Sequence, residues 1–308
     1  MSMNSPSIAA VVVTYNRKTM LVDCLRAVFL QSHPLDRIFI IDNASTDGTR
    51  ALLESEGFLS DLRFVYVRLD ANFGGAGGFS CGLNLGLVEG YDWLWVMDDD
   101  CVPSNNALYE LYVHFSWLNT SVGFLCSHVL WKDGAPHRMN IPGIRLFTGD
   151  TACNTFVDKN VLVVPSCSFV SVLISAKAVR QCGLPLSEMF LWGDDLEFFR
   201  RITNAGFLGL YAWKSVVIHM TKFNINNDIF VADCSELPKH YFGVRNNLYI
   251  SRVNKGFFSY LVSFLENLTV VNLFLLLKRK NHKLLAVRIN TFATFSSLFF
   301  RPKIVFPK

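Results

Sequence analysis

Three aspartates stand in a row at Asp98, Asp99 and Asp100. Adjacent carboxylates repel one another, and a hard divalent cation with oxygen ligands supplies the counter-charge they need. In an extended segment alternate residues face the same side. That alternation puts Asp98 and Asp100 together on a metal or a metal–diphosphate complex and turns Asp99 elsewhere. A solvated acidic turn before Pro103 is the competing explanation. A second acidic group, Asp194, Asp195 and Glu197, follows Trp192–Gly193. Acids at a helix start gain from the helix dipole and cap free N–H groups, which accounts for one of them. A carboxylate beside an aromatic wall also suits a general base that takes a proton from a sugar hydroxyl. His219 follows the run "SVVI"; it reads either as a satisfied strand-end residue or as a metal ligand completing the aspartate set.

The stretch "NFGGAGGFSCG" holds Gly74, Gly75, Gly77, Gly78 and Gly82. Such glycines permit close backbone approach to a ligand and tight turns. No Gly-Lys-Ser/Thr follows, and no GxGxxG follows the first strand, so neither a P-loop nor a dinucleotide fold fits.

The elements that must hold these groups alternate. The β-branched run Ile8–Thr14 predicts a buried parallel strand, and Lys18–Gln31 an amphipathic helix. Arg37–Asp42, Leu62–Leu69 and Asp92–Asp100 predict further strands, with a helix over Thr49–Glu56 and a loop running into a helix over residues 74–90. Residues 123–160 read as irregular turns and hairpins. A strand entering a helix follows in "SFVSVLISAKAV", then a helix after "FLWG", then a strand in "YAWKSVVIHM". Strands alternating with helices make a parallel sheet with right-handed crossovers. Ligands of such sheets sit at the carboxyl ends of the strands, where Asp42 and Asp98–Asp100 fall.

The chain has 308 residues, 51% apolar and 14% aromatic, enough for one large α/β domain and an appendage. The polar start lacks the pattern of a secretory signal. Eight cysteines form no CxxC pair and no zinc spacing, so they read as reduced core residues of a cytosolic protein. The net charge of +4 is unevenly spread. Residues 239–308 carry twelve Lys or Arg against Glu266 alone, whereas the first 238 carry 17 bases and 24 acids. The basic tail is interleaved with Phe and Leu, which favours an anionic membrane surface over nucleic acid. Within it, Phe257–Leu277 has the length of a bilayer span, but Glu266 near its middle makes crossing costly. A helix lying in the interface is expected instead, and no segment reads at once as a span. A domain boundary is placed near Asn224–Leu237, dividing a catalytic domain, 1–223, from a membrane-associating helical region, 224–308.

Taken in order, "VVVTYNR" (11–17), "IIDNASTDGT" (40–49), "WVMDDDCVP" (95–103) and "FLWGDDLEFFRR" (190–201) resemble the blocks of the family 2 inverting glycosyltransferases. The match spans about residues 8–220. "NFGGAGGFSCG" and "WGDD" are similar to the galactofuranosyltransferase branch; some rhamnosyltransferases share related blocks. The resemblance implies a GT-A α/β fold with a mostly parallel central sheet and a helical C-terminal extension. It also implies a nucleotide-sugar donor, UDP-galactofuranose or alternatively dTDP-rhamnose, and a divalent Mn2+ or Mg2+. Thr14 and Asp42 map to the nucleotide pocket, with Tyr15 and Arg17 beside them and Gly74, Gly75 and Asp99 on the donor. Asp98, Asp100 and His219 map to the metal, Asp195 to the catalytic base and Asp194 to its acidic neighbour. Trp192 is placed against the acceptor sugar. The implied acceptor is a lipid-linked glycan of cell-surface polysaccharide, extended by a single addition at the cytoplasmic face of the inner membrane. A nucleotidyltransferase and a non-catalytic membrane-bound scaffold are the rival readings. The first lacks its glycine-rich basic loop after the first strand. The second is at odds with an intact carboxylate set.

Overall fold

The computed structural model describes residues 6–116 and 121–307. Its sheet is seeded by β1 (Ile8–Thr14), in which every residue is buried. A strand buried on both faces needs apolar residues at every position, and this run supplies them. Ala10 and Val12 feed the core on one face of the sheet; Ala9, Val11 and Val13 feed the other. β2 (Arg37–Asp42) and β4 (Trp93–Asp98) pair with β1 in parallel on its two sides, and β3 (Phe64–Arg68) extends the parallel edge beyond β2. The crossovers are α1 (Lys18–Phe29), α2 (Thr49–Ser55) and α3 (Gly74–Val88).

Beyond β4 the sheet becomes mixed. β10 (Val172–Ser175) pairs antiparallel with β4 and with β6 (Val122–Trp131). β11 (Leu208–His219) runs parallel to β6 and antiparallel to β5 (Cys101–Pro103) and β9 (Val161–Val163). β6 corrects the expectation of irregular chain from residue 123. Gly123 and the polar Ser127 and His128 mask its period, yet Val122–Ser127 are all buried. The rest of that region is irregular, with only the small hairpin of β7 (Phe147–Thr148) and β8 (Thr151–Ala152). α4 (Ala107–Tyr112), α5 (Ala176–Cys182) and α6 (Asp194–Asn204) complete the catalytic half.

The glycine-rich segment differs from the loop expected. α3 begins at Gly74 itself, and its glycines form the stripe that touches the sheet. A Cβ on Gly78 would lie 2.5 Å from Val13, one on Gly82 2.3 Å from Val11 and one on Gly86 2.3 Å from Leu94. Real Cβ atoms do not approach so closely, so the helix lies nearer the strands than any side chain allows.

The C-terminal region folds as α7 (Lys239–Glu266), a π-helical turn at Asn267–Val271, α8 (Asn272–Lys278) and α9 (Lys283–Phe299). Lys239–Lys278 is long and apolar enough to cross a membrane by length and composition alone, a length the sequence reading gave to Phe257–Leu277 and set against the charge of Glu266. Gly256, at φ 86°, kinks it. The second half packs against α9 with an inverted polarity. Asn290 donates to the Asn267 carbonyl (2.9 Å) and to Asn272 Oδ1 (3.0 Å), Asn272 donates to Thr291 Oγ1 (2.9 Å), and Tyr260 bonds Ser297 (3.1 Å). Phe257, Phe258, Leu273, Leu277, Phe292 and Phe299 face outward.

Gly82→Ala is expected to destabilise the fold by about 1–3 kcal/mol through overpacking against Val11, read as a lower urea midpoint. Gly75→Ala, whose new methyl would meet only Phe79 at 3.7 Å, should leave the midpoint unchanged or raise it.

Candidate active site

The carboxylates gather where β1, β4 and β11 end. β4 stops at Asp98, and Asp99–Asp100 form the turn into β5. The strand alternation expected to pair Asp98 with Asp100 therefore fails, because the chain must reverse to lay Cys101 against His219. Asp99 accepts from the Thr14 hydroxyl at 2.7 Å, and Arg17 bridges Asp99 Oδ1 (3.2 Å) and Asp100 Oδ2 (2.7 Å). Burial alone would lower the Arg17 pKa, but the neighbouring Asp100, Asp99 and Asp98 raise it, so the guanidinium is a permanent cation. Burial, with Asp100 adding repulsion, pushes Asp99 up to about 6 against the pull of Arg17. Asp98 is pushed up by burial, by Asp100 and Asp99, and by the charge of Asp194. The two acidic groups thus meet in one site although 94 positions separate Asp100 from Asp194.

His219 Nε2 lies 3.1 Å from Asp100 Oδ1. The Asn140 amide donates to Ser168 at 2.8 Å, which turns its oxygen toward His219 Nδ1, also at 2.8 Å. In the tautomer that donates from Nδ1 to Asn140, Nε2 turns a lone pair toward the buried Asp100 Oδ1. Two facing lone pairs need a proton or a cation between them. Adjacent ligands of an octahedral Mg2+ or Mn2+ lie about 3 Å apart, so the pair fits such an ion, with Asn140 as the group that orients the imidazole. Cys101 Sγ sits within the same cluster. Its thiol is pushed well up by burial and by Asp100, so it remains a poor ligand for a hard cation. Of the metal residues expected from sequence, Asp100 and His219 come together, while Asp98 stands outside that cluster.

Asp42 ends β2 and is held by the Ser45 N–H (2.8 Å) and the Tyr66 hydroxyl. Tyr15 is exposed beside it on the β1 loop. Gly74 and Gly75 do not form an open ligand loop: a Cβ on Gly74 would strike the Phe190 carbonyl at 2.0 Å, and Ala76 N–H donates to that oxygen.

Phe190 belongs to the strained approach to α6. Phe190 (φ 65°), Trp192 (φ 62°) and Gly193 (φ 87°) lie at positive φ, which costs non-glycine residues about 1–2 kcal/mol each. Asn246, fully buried on α7, donates to the carbonyls of Met189 (2.9 Å), Leu191 (3.1 Å) and Trp192 (2.8 Å). Arg245 adds bonds to Glu188 and Met189 and orients Asn246 Oδ1. Trp192 packs edge-on to His240, 5.0 Å away, and Phe190 stacks on Phe242. The loop delivers Asp194 and Asp195 to the start of α6. Burial, and for Asp194 also Asp195, pushes the pair up, to about 8 and about 6. Such a pair keeps one proton near neutrality and leaves the other carboxylate basic. Glu197 is occupied by a bidentate pair with Arg201 (2.9 and 3.0 Å) and is structural. Asn140 and Asn246 escaped the sequence reading: each is a lone polar residue far from any motif.

This layout, a sheet with carboxylates at its central strand ends facing an acid pair on a helix start, is that of the GT-A glycosyltransferase fold. The sequence model of "Glycosyl transferase family 2" matches residues 9–167, and the chain belongs to that family. It is similar to the galactofuranosyltransferase GlfT1 of Mycolicibacterium smegmatis, 29% identical over 205 residues, covering 65% of this chain and 66% of that protein. GlfT1 of Mycobacterium tuberculosis is 26% identical over 208 residues, with the same coverage. The match thus spans just under two thirds of those relatives' length. Among solved structures, GalNAc-T7 with UDP, GalNAc and Mn2+ shares the fold at TM-score 0.62, 15% identity and 82% of this chain against 48% of that one. The mannosyltransferase PcManGT of Pyrobaculum calidifontis, with GDP-Man and Mn2+, does so at TM-score 0.55 and 13% identity, covering 96% and 87%.

Asn246→Ala would strip the Leu191 and Trp192 carbonyls of this donor and leave the Met189 carbonyl to Arg245 alone. It is expected to cost about 1–3 kcal/mol and to lower turnover while UDP affinity holds, measured by urea denaturation, steady-state kinetics and calorimetry.

Proposed function

We propose that the protein is an inverting glycosyltransferase that moves galactofuranose from UDP-galactofuranose to a lipid-linked glycan of cell-surface polysaccharide. The observation that carries the transferase reading is the convergence of the Asp98–Asp100 turn with the Asp194–Asp195 pair, one group for the donor diphosphate and one for the acceptor hydroxyl. The donor rests on the similarity to the two galactofuranosyltransferases.

In this reaction Asp195 takes the proton of an acceptor hydroxyl. The hydroxyl oxygen forms a bond to the anomeric carbon as the bond from that carbon to the UDP β-phosphate oxygen breaks. Attack opposite the leaving group inverts the centre. Asp100 and His219 would hold a Mn2+ or Mg2+ that offsets charge on the departing diphosphate. Thr14 and Arg17 fix the acidic turn, and Asp42 and Tyr15 lie at the strand ends where the nucleotide is expected.

Asp195→Asn is expected to lower turnover by about 10²–10⁴-fold with donor affinity kept. Because the wild-type base is pushed up to about 6, its carboxylate form is lost as pH falls through that value. Turnover should follow, with the acid limb absent from the residual activity of the variant. Mass spectrometry of purified protein with UDP-galactofuranose, UDP-galactopyranose and dTDP-rhamnose, with and without chelator, tests donor and metal. Transfer from dTDP-rhamnose alone would refute the galactofuranose assignment, and undiminished turnover in chelator would refute the metal.

We further infer peripheral attachment to the cytoplasmic leaflet. The α7–α9 helices hide their polar seam and present phenylalanine and leucine outward, the polarity expected of lipid-facing rather than water-facing helices. One end is tied to the catalytic half, where Arg245 and Asn246 bond Glu188 and Met189 and the Lys303 N–H donates to Glu188. The other is tied through Arg279 to the Ile229 and Ala232 carbonyls of the connecting segment. A pair tied at both ends lies flat, and Lys278, Lys280, Lys283 and Arg288 add attraction of about 1 kcal/mol each near anionic lipid. Full-length protein should pellet with phosphatidylglycerol vesicles at low salt, less so at high salt, and Phe257→Ser/Phe258→Ser should weaken binding. Protein that stays off such vesicles at low salt defeats this reading.

A further inference from the structure

A cleft of about 440 Å³ lies between α6 and α7. Leu196 and Arg200 line it from α6, and Asn247, Ser251 and Lys255 from α7. A smaller cavity of about 150 Å³ adjoins it, shares Arg200 and Lys255, and adds Arg145. Among the described residues, none of these three cations has a carboxylate within ion-pair distance or a side-chain hydrogen bond. The contrast is with Arg201, one residue on, whose guanidinium is committed to Glu197 and to the carbonyls of Cys182, Gly183 and Leu184. Arg200 Nε is fully buried and has no partner. Buried polar groups are as a rule hydrogen-bonded, so this N–H is a donor open to an acceptor in the cleft. Burial and the like charge of Arg145 both push the Arg200 pKa down, so these cations repel one another until an anion joins them. The smaller cavity has no acid in its lining, and the larger has only Glu266.

We propose that Arg145, Arg200 and Lys255 form a binding site for the phosphate groups of a lipid-linked acceptor. The position selects the ligand. Leu196 in the cleft wall is the residue after Asp195, so the cleft opens along the first turn of α6, within a sugar's length of the base. On the other side, Lys255 precedes the Gly256 kink, and Phe257 and Phe258 follow it at 69% and 78% exposure. A phosphate on Lys255 thus has its hydrocarbon chain beside an exposed apolar ridge and its sugar beside the acid pair. The donor diphosphate belongs to the separate Asp98–Asp100 turn. Arg and Lys in a half-enclosed cleft make short, charge-assisted bonds to phosphate oxygens. The assignment rests on the glycosyl-transfer reading for the acceptor's role, while the anion site itself stands on its cations.

The test uses the full chain in detergent micelles and a synthetic short-chain prenyl diphosphate, with the matching prenyl alcohol and inorganic pyrophosphate as comparators. Calorimetry should give the prenyl diphosphate the tightest binding. Arg200→Gln and Lys255→Gln should each weaken it about tenfold or more, without moving prenyl alcohol or UDP affinity. Arg145→Gln, an exposed substitution that leaves packing untouched, should weaken it in the same sense. With a prenyl-diphosphate-linked sugar as acceptor, the variants should raise KM while donor hydrolysis in the absence of acceptor is unchanged. Variants that bind the prenyl diphosphate as the wild type does overturn the site. Pyrophosphate bound as tightly as the lipid overturns the lipid assignment. A wild type that binds the lipid but hydrolyses no sugar nucleotide leaves the anion site standing and sinks the transferase reading instead.

Discussion

The structure is organised around the problem of keeping Asp98, Asp99 and Asp100 buried at one strand end. Two unit charges 4 Å apart interact with about 4 kcal/mol at the dielectric typical of protein sites, so three carboxylates with Asp194 nearby cannot all stay ionised unaided. Arg17 offsets charge on Asp99 and Asp100 together, and it reaches both only because β1 ends at Thr14 and turns at once into α1. Thr14 donates to the same acid. Burial and its acidic neighbours push the Asp98 carboxyl up. The remaining demand falls on Asp100, whose second oxygen faces His219 at the end of β11. The ends of β1, β4 and β11, the turn into β5 and the orientation of Asn140 all follow from that one requirement.

The acid pair at α6 is held by a different means. Its approach is strained rather than charged, and the strain is offset from outside by the amide of Asn246 and the guanidinium of Arg245. α7 therefore positions the acid pair as well as starting the apolar region. The sequence boundary near Asn224–Leu237 coincides with a stretch of irregular chain, yet the contacts across it are among the most specific in the molecule. The C-terminal strap repeats the pattern: Leu184 N–H donates to the Val305 carbonyl and Lys303 N–H to Glu188.

What was legible in the sequence follows from periodicity and adjacency. Continuous β-branched runs marked β1 and β2, and consecutive acids marked both halves of the site. β6 was hidden because Gly123 and its polar centre break the apolar run. The glycine of that strand is needed where a Cβ would meet Ile202 at 2.5 Å. The glycines of α3 were read as a loop because glycine normally weakens helices, whereas here they let the helix touch the sheet. The Asp98/Asp100 alternation failed because the strand ended two residues sooner than the carboxylate run. Asn140 and Asn246 carry no sequence signal, and Arg200, although inside the 190–201 block, carries none for its place in the cleft, since each acts through partners brought from other segments by the fold.

One helix, α7, thus carries two instructions. Its first half fixes the register of the acid pair through Asn246; its second half, past the Gly256 kink, bears the outward phenylalanines. The hold on the acid-pair loop and the outward apolar face are consequently written on one kinked helix, and neither can be transplanted alone. A chimera that borrows another transferase's tail inherits that tail's grip on the 189–193 loop, so exchange between relatives has to move the helix and the loop as one cassette.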